Sequence, residues 1–94
     1  MAELSYYLST VHIPGRLIGT TKSPYTVVKY KDLRVLTYFN FKTFSWVLTG
    51  NHIMDGVVYR FTNNSKGTEL KKRIRNHINT KPVYWRYATK NEVD

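Results

Sequence analysis

The sequence predicts an α+β fold: a small antiparallel sheet of about five or six strands with one helix from the C-terminal half packed on it, in the order β-β-β-β-β-α-β. Three observations carry this reading. Short runs rich in Tyr, Val, Thr and Phe fill the first two-thirds of the chain, separated by Gly, Asn and Asp. Leu70, Ile74 and Ile78 then recur at i, i+4 and i+8, the spacing of one helical stripe. After Pro82 the chain returns to strand-like alternation. With 94 residues, 41% of them hydrophobic, residues 1–94 are expected to form a single domain around one modest core. An open barrel of the same strands is the alternative architecture.

Residues 5–13 are β-formers that stop at Pro14-Gly15, and 14–24 reads as a long loop or an irregular edge strand. Tyr25–Tyr30 and Arg34–Phe41 are two further runs, with Lys31-Asp32-Leu33 as the reversal between them. In Thr43–Thr49, Phe44, Trp46 and Leu48 alternate with polar neighbours, which predicts a strand buried on one side. Phe44, Trp46 and Trp85 are therefore expected in the core. Gly50-Asn51 reads as the turn after that strand and Asp55-Gly56 as another before the run Val57–Phe61, which Thr62-Asn63-Asn64-Ser65 closes. The helix is placed at 68–79, capped by Thr68 or Ser65, with Glu69 in its first turn and Pro82 beyond its end. In the final strand, Val83–Lys90, Tyr84 and Arg86 lie on the opposite parity to Val83 and Trp85 and are expected at the surface.

Composition narrows the chemistry. Absence of cysteine excludes a disulfide scaffold, a thiolate zinc site and a cysteine nucleophile. No run approaches the roughly 20 apolar residues that span a bilayer. The first residues lack the pattern of a secretory signal, so an intracellular, cytoplasmic protein without a membrane partner is expected. The net charge of +9 and the isoelectric point near 9.9 are those of a chain that meets polyanions. That charge is concentrated: between Lys66 and Lys90 lie eight basic residues opposed by Glu69 alone.

The outer helix surface carries Lys71, Lys72, Arg75, Asn76 and Asn79, a set of hydrogen-bond donors suited to phosphates. Lys81-Pro82-Val83-Tyr84-Trp85-Arg86-Tyr87 interleaves cations with rings that stack on bases, as do Lys29-Tyr30-Lys31 and Tyr59-Arg60-Phe61. The expected function is thus non-catalytic binding of DNA or RNA by a continuous basic surface of helix and final strand. Its contacts are Lys66, Lys71, Lys72, Arg75, Lys81, Tyr84, Arg86 and Lys90. A protein-interaction module that regulates or inhibits a larger enzyme through its acidic surface is the alternative, since Tyr and Arg are enriched at interfaces. A metal-independent ribonuclease using His52, Arg60, His77, Tyr84 and Arg86 comes third. The three histidines lack metal-ligand spacing and the carboxylates fall at termini, turns and the helix start, so no metal or cofactor is expected.

Overall fold

Tight reversals set the topology. Lys31-Asp32 joins Thr26–Tyr30 (β2) to Leu33–Asn40 (β3). Asp55 and Gly56, at φ +52° and +78°, join Ser45–Met54 (β4) to Val57–Arg60 (β5). Two successive positive φ values are what a two-residue hairpin loop needs to match strand twist, and Asp-Gly supplies them at low cost. The computed structural model describes residues 5–9 and 21–93. The remaining elements are Tyr7–Leu8 (β1), the helix Ser65–Thr80 (α1), Tyr84–Tyr87 (β6) and a four-residue helix Lys90–Val93 (α2). All strand pairings are antiparallel and the sheet order is β1-β6-β2-β3-β4-β5. This is the predicted succession of five strands, helix and sixth strand. Of the predicted first strand 5–13, residues 5–9 are described and include β1, while 10–13, and 14–20 of the predicted loop, lie outside the described residues.

Each strand presents alternate residues to opposite faces. Val28, Tyr30, Val35, Phe39, Trp46 and Trp85 face α1 and form the main core with its Ile74 and Ile78. Thr26 and Thr37 are fully buried on this face, and their hydroxyls bond each other at 2.9 Å, which satisfies both. The other face carries a smaller cluster of Val27, Leu36 and Ile53, packed with Tyr25, Val58 and Ala88.

Several local expectations are corrected. Gly50-Asn51 is not a turn: β4 runs through it, and Thr49 and Gly50 form a bulge between Leu48, which pairs with Thr37, and Asn51, which pairs with Leu36. Gly50 takes the φ of +95° that the bulge demands, while Thr49 Oγ1 donates to the Leu36 carbonyl at 2.9 Å. Phe44 is not in the core; it sits in the β3–β4 turn at φ +53° and is 66% exposed, touching Phe39 edge-on. The helix begins three residues earlier than predicted, because Asn64 is its N-cap: Asn64 Oδ1 accepts from the Gly67 N–H at 2.9 Å. Glu69 consequently lies beyond the first turn.

Asn79 also departs from its expected role as an outward donor. The first half of β4 has no strand partner on its β5 side, because β5 pairs only with Asn51–Met54. The Asn79 side chain fills that edge: its Oδ1 accepts from Trp46 N–H at 2.6 Å and its Nδ2 donates to Trp46 O at 3.2 Å. One amide thereby reproduces a ladder pair and fixes the end of α1 to the sheet. Replacing Asn79 with Ala is expected to lower stability by about 1–3 kcal/mol, the range for stranding partly buried backbone groups. Asn76→Ala, one turn away and exposed, should stay within about 0.5 kcal/mol. Urea denaturation followed by tryptophan fluorescence measures both.

Candidate nucleic-acid interface

The stripe of α1 that faces the sheet determines where its charges go. At about 100° per residue, Lys71, Arg75 and Asn79 form one row along a flank of the helix. Asn79 is bonded to Trp46, so this row runs beside β4. Lys72 stands next to the row and is exposed, as is Arg75. Lys66 and Arg73 occupy the opposite flank, where Arg73 Nε meets Glu69 Oε2 at 3.5 Å in a solvent-exposed pair. Such a pair contributes little, about 0.3–0.5 kcal/mol. Among the described residues, Lys66, Lys71, Lys72 and Arg75 have no carboxylate partner.

At the N-terminal half of that row the helix meets the bulge of β4. Lys71, half-buried, shares a cleft with Arg60 of β5, Asn51 and Thr49 of β4, Gly50, and Asn63 from the segment before the helix. The Phe61 N–H donates to Gly50 O at 2.9 Å and so ties the end of β5 to the bulge. No acidic residue lines the cleft. The side chains of Arg60, Lys71, Asn51 and Asn63 make no hydrogen bond or ion pair with another described residue. The sequence offers Arg60 within the interleaved Tyr59-Arg60-Phe61 and in the ribonuclease set, but gives no sign of Asn51 as a donor beside it. The bulge that brings them together was hidden because Gly50-Asn51 also has turn chemistry.

The predicted continuous surface of helix and final strand is not formed. Trp85 packs into the core under α1, so Tyr84 and Arg86, its neighbours in β6, point from the opposite face of the sheet. Tyr84 is 53% exposed there. Arg86 is not available to a phosphate. Its guanidinium makes a two-pronged bond to Glu92, with both distances 2.9 Å, and its Nε donates to the Tyr6 hydroxyl at 3.1 Å. The side chains of Arg86 and Glu92 retain only 13% and 10% of their exposure. Lys81 is exposed as the C-cap residue of α1, and Lys90 is exposed at the start of α2. The eight predicted contacts are thus divided, with Lys66, Lys71, Lys72, Arg75 and Lys81 on or beside α1, Tyr84 and Arg86 behind the sheet, and Lys90 at the start of α2.

Aromatic–cation pairs do occur on the rear face, but they are internal. Lys29 Nζ lies 4.2 Å from the centre of the Tyr6 ring, and Lys22 Nζ lies 4.2 Å from that of Tyr25 and 4.9 Å from that of Tyr38. The ribonuclease set is divided in the same way. His77 of α1 packs edge-on against Tyr30, and His52 lies against Phe61 on the helix side, whereas Tyr84 and Arg86 are on the other. Among the described residues, no three His, Asp or Glu side chains are grouped to hold a metal, and no helix is long and apolar enough to cross a membrane. No protein-family model, curated protein or solved structure matches the chain.

The Arg86–Glu92 pair has a local origin that the sequence displays. Thr89-Lys90-Asn91-Glu92 is a capping box: the Thr89 N–H donates to Glu92 Oε1 at 2.9 Å, and the Glu92 N–H donates to Thr89 Oγ1 at 3.3 Å. The box aims the carboxylate at Arg86. The arginine, together with the Thr89 bonds, holds Glu92 below the ordinary carboxylate value of 4.5, against the opposing effect of burial. Arg86 is pushed above its own ordinary value by the same bond and stays charged throughout. A depressed carboxylate stabilises the fold above its unfolded pKa, and that stabilisation is lost as pH falls through the folded value. Glu92→Gln should therefore cost about 2–4 kcal/mol at pH 7 and flatten the acid limb of the stability curve. Urea titrations at pH 7 and pH 3 check both effects.

Proposed function

We propose that the protein binds nucleic acid without catalysing a reaction on it, and that the binding surface is the outer flank of α1 with the adjoining cleft. The observation that carries this is the group of cations Lys71, Lys72 and Arg75, which form no ion pair with a carboxylate among the described residues and of which Lys71 shares a cleft with Arg60. An uncompensated cationic row is favourable where a phosphate backbone supplies the counter-charge and releases its own condensed ions. A helix flank without exposed rings favours the backbone over the bases, so duplex is the preferred substrate. Tyr84, Arg86 and Lys90 have no part in this surface.

A second reading, a protein partner, is favoured by one feature. The outer strand β5 and its hairpin expose Met54, Val57 and Tyr59 at the edge of the sheet. An unpaired strand edge with apolar side chains is a template for strand addition. A stoichiometric partner captured on the folded protein and retained after nuclease treatment would favour this reading.

Fluorescence anisotropy with a labelled duplex, repeated over a series of salt concentrations, tests the first. If Arg60, Lys71, Lys72 and Arg75 each neutralise one phosphate, log affinity should fall with log salt at a slope of about −3 to −4, at about −0.9 per phosphate. Replacing Lys72 and Arg75 with Ala should reduce the slope by about two, and Tyr84→Ala should leave it unchanged. Free duplex at micromolar protein and low salt rejects nucleic-acid binding. Loss of binding with Tyr84→Ala and not with the helix variants moves the interface to the rear face.

A further inference from the structure

We infer that the cleft between the β4 bulge and α1 is a discrete phosphate-binding site, in which Arg60 and Lys71 supply charge and Asn51 and Asn63 supply amide donors. The inference deepens the nucleic-acid reading and rests on it for the source of the phosphate. A diffuse cationic surface, as on the outer flank of α1, attracts polyanions without selecting a position. The cleft differs in three respects.

First, its two cations come from different elements and share one concavity of about 470 Å³ that no carboxylate lines. Two like charges held in one recess repel each other, and the repulsion is relieved when an anion enters. Second, all four donor side chains lack partners among the described residues, so a ligand's oxygens do not compete with internal bonds. Arg86 makes the contrast plain: its guanidinium is fully occupied by Glu92, Tyr6 and the Tyr87 carbonyl. Third, the recess is built by an irregularity of the sheet. The two extra residues Thr49 and Gly50 reset the register of β4, so that Asn51 comes to lie opposite Arg60. Bulges that re-aim a side chain in this way recur beside functional sites.

The donor set fits a tetrahedral oxyanion. A guanidinium offers two parallel N–H groups to two oxygens, the ammonium acts as a compact point charge, and amide N–H₂ groups reach the remaining oxygens. An uncharged ligand would leave both cations unneutralised. A backbone diester and a monoester share this chemistry, and the test separates them.

The experiment is a titration of the full chain with inorganic phosphate, followed by ¹H–¹⁵N correlation spectra, in parallel with anisotropy on duplexes with and without a 5′-phosphate. Inorganic phosphate is expected to shift the amides of Gly50, Asn51, Arg60, Asn63 and Lys71 saturably. Arg60→Gln should weaken that response by about tenfold or more, and so should Lys71→Gln. Arg34→Gln, a cation on the rear face, should leave it unchanged. Tighter binding of the 5′-phosphorylated duplex, lost in Arg60→Gln, assigns the site to a monoester. Equal affinities for both duplexes, both reduced in Arg60→Gln, assign it to the backbone. Saturable phosphate binding at the cleft with every duplex left free retains the site and rejects the nucleic-acid reading. Shifts spread over all the lysines, or a phosphate response and duplex affinity unaffected by Arg60→Gln, overturn the site whether or not duplex binds.

Discussion

Burial of Ile74 and Ile78 beneath Trp46 and Trp85 decides how this protein presents its charge. A strand alternates its side chains across the sheet, and a helix resting on one face claims that face for its apolar stripe. In β6 Trp85 is drawn into the core, and its neighbours Tyr84 and Arg86 are sent to the far side. Clustering along the sequence therefore does not become clustering in space. The basic run from Lys66 to Lys90 is divided by the sheet itself, and only its helical part remains together as a surface.

The two parts treat charge differently. Behind the sheet, Arg86 is anchored by a carboxylate and a tyrosine, and the lysines lie over rings in their own fold. Charge there serves to hold β6, α2 and the start of the chain together. In front, Lys71, Lys72 and Arg75 of α1 have no such internal pairing among the described residues. Lys71 and Arg60 both line the recess beside the β4 bulge, and no acid lines it. Net positive charge left uncompensated at one place opposes compactness through self-repulsion, which makes its retention at that place a functional signal.

Much of the fold was legible because the relevant signals are local. The stripe Leu70, Ile74, Ile78 located the helix, and alternation around Trp46 and Trp85 located two strands in which Trp46 and Trp85 are buried as expected, whereas Phe44 is not. Asp55-Gly56 marked a turn correctly, since Asp-Gly readily accepts two positive φ values. Where sequence reading failed, two local rules competed. Gly50-Asn51 has the chemistry of a turn, but long-range pairing of β4 with both β3 and β5 kept the strand going and turned the glycine into a bulge. Asn64, Ser65 and Thr68 all suit a cap, and the choice among them depended on how closely the helix could approach Thr62. Gly67 allows that approach, since a Cβ there would collide with the Thr62 carbonyl. Phe44 followed the strand parity but fell in the turn, which placed its ring outside. The site was the least legible part, because parity within β6 was known while the face taken by the helix was not.

The amide of Asn79 has a consequence beyond anchoring a helix. By holding both main-chain groups of Trp46, it leaves a neighbouring molecule nothing to zip onto at that point. Among the described residues, the strand edges left open to addition are therefore the outer rims of the sheet, β1 and β5. A single side chain stands in for a missing strand on the flank of β4 beside α1.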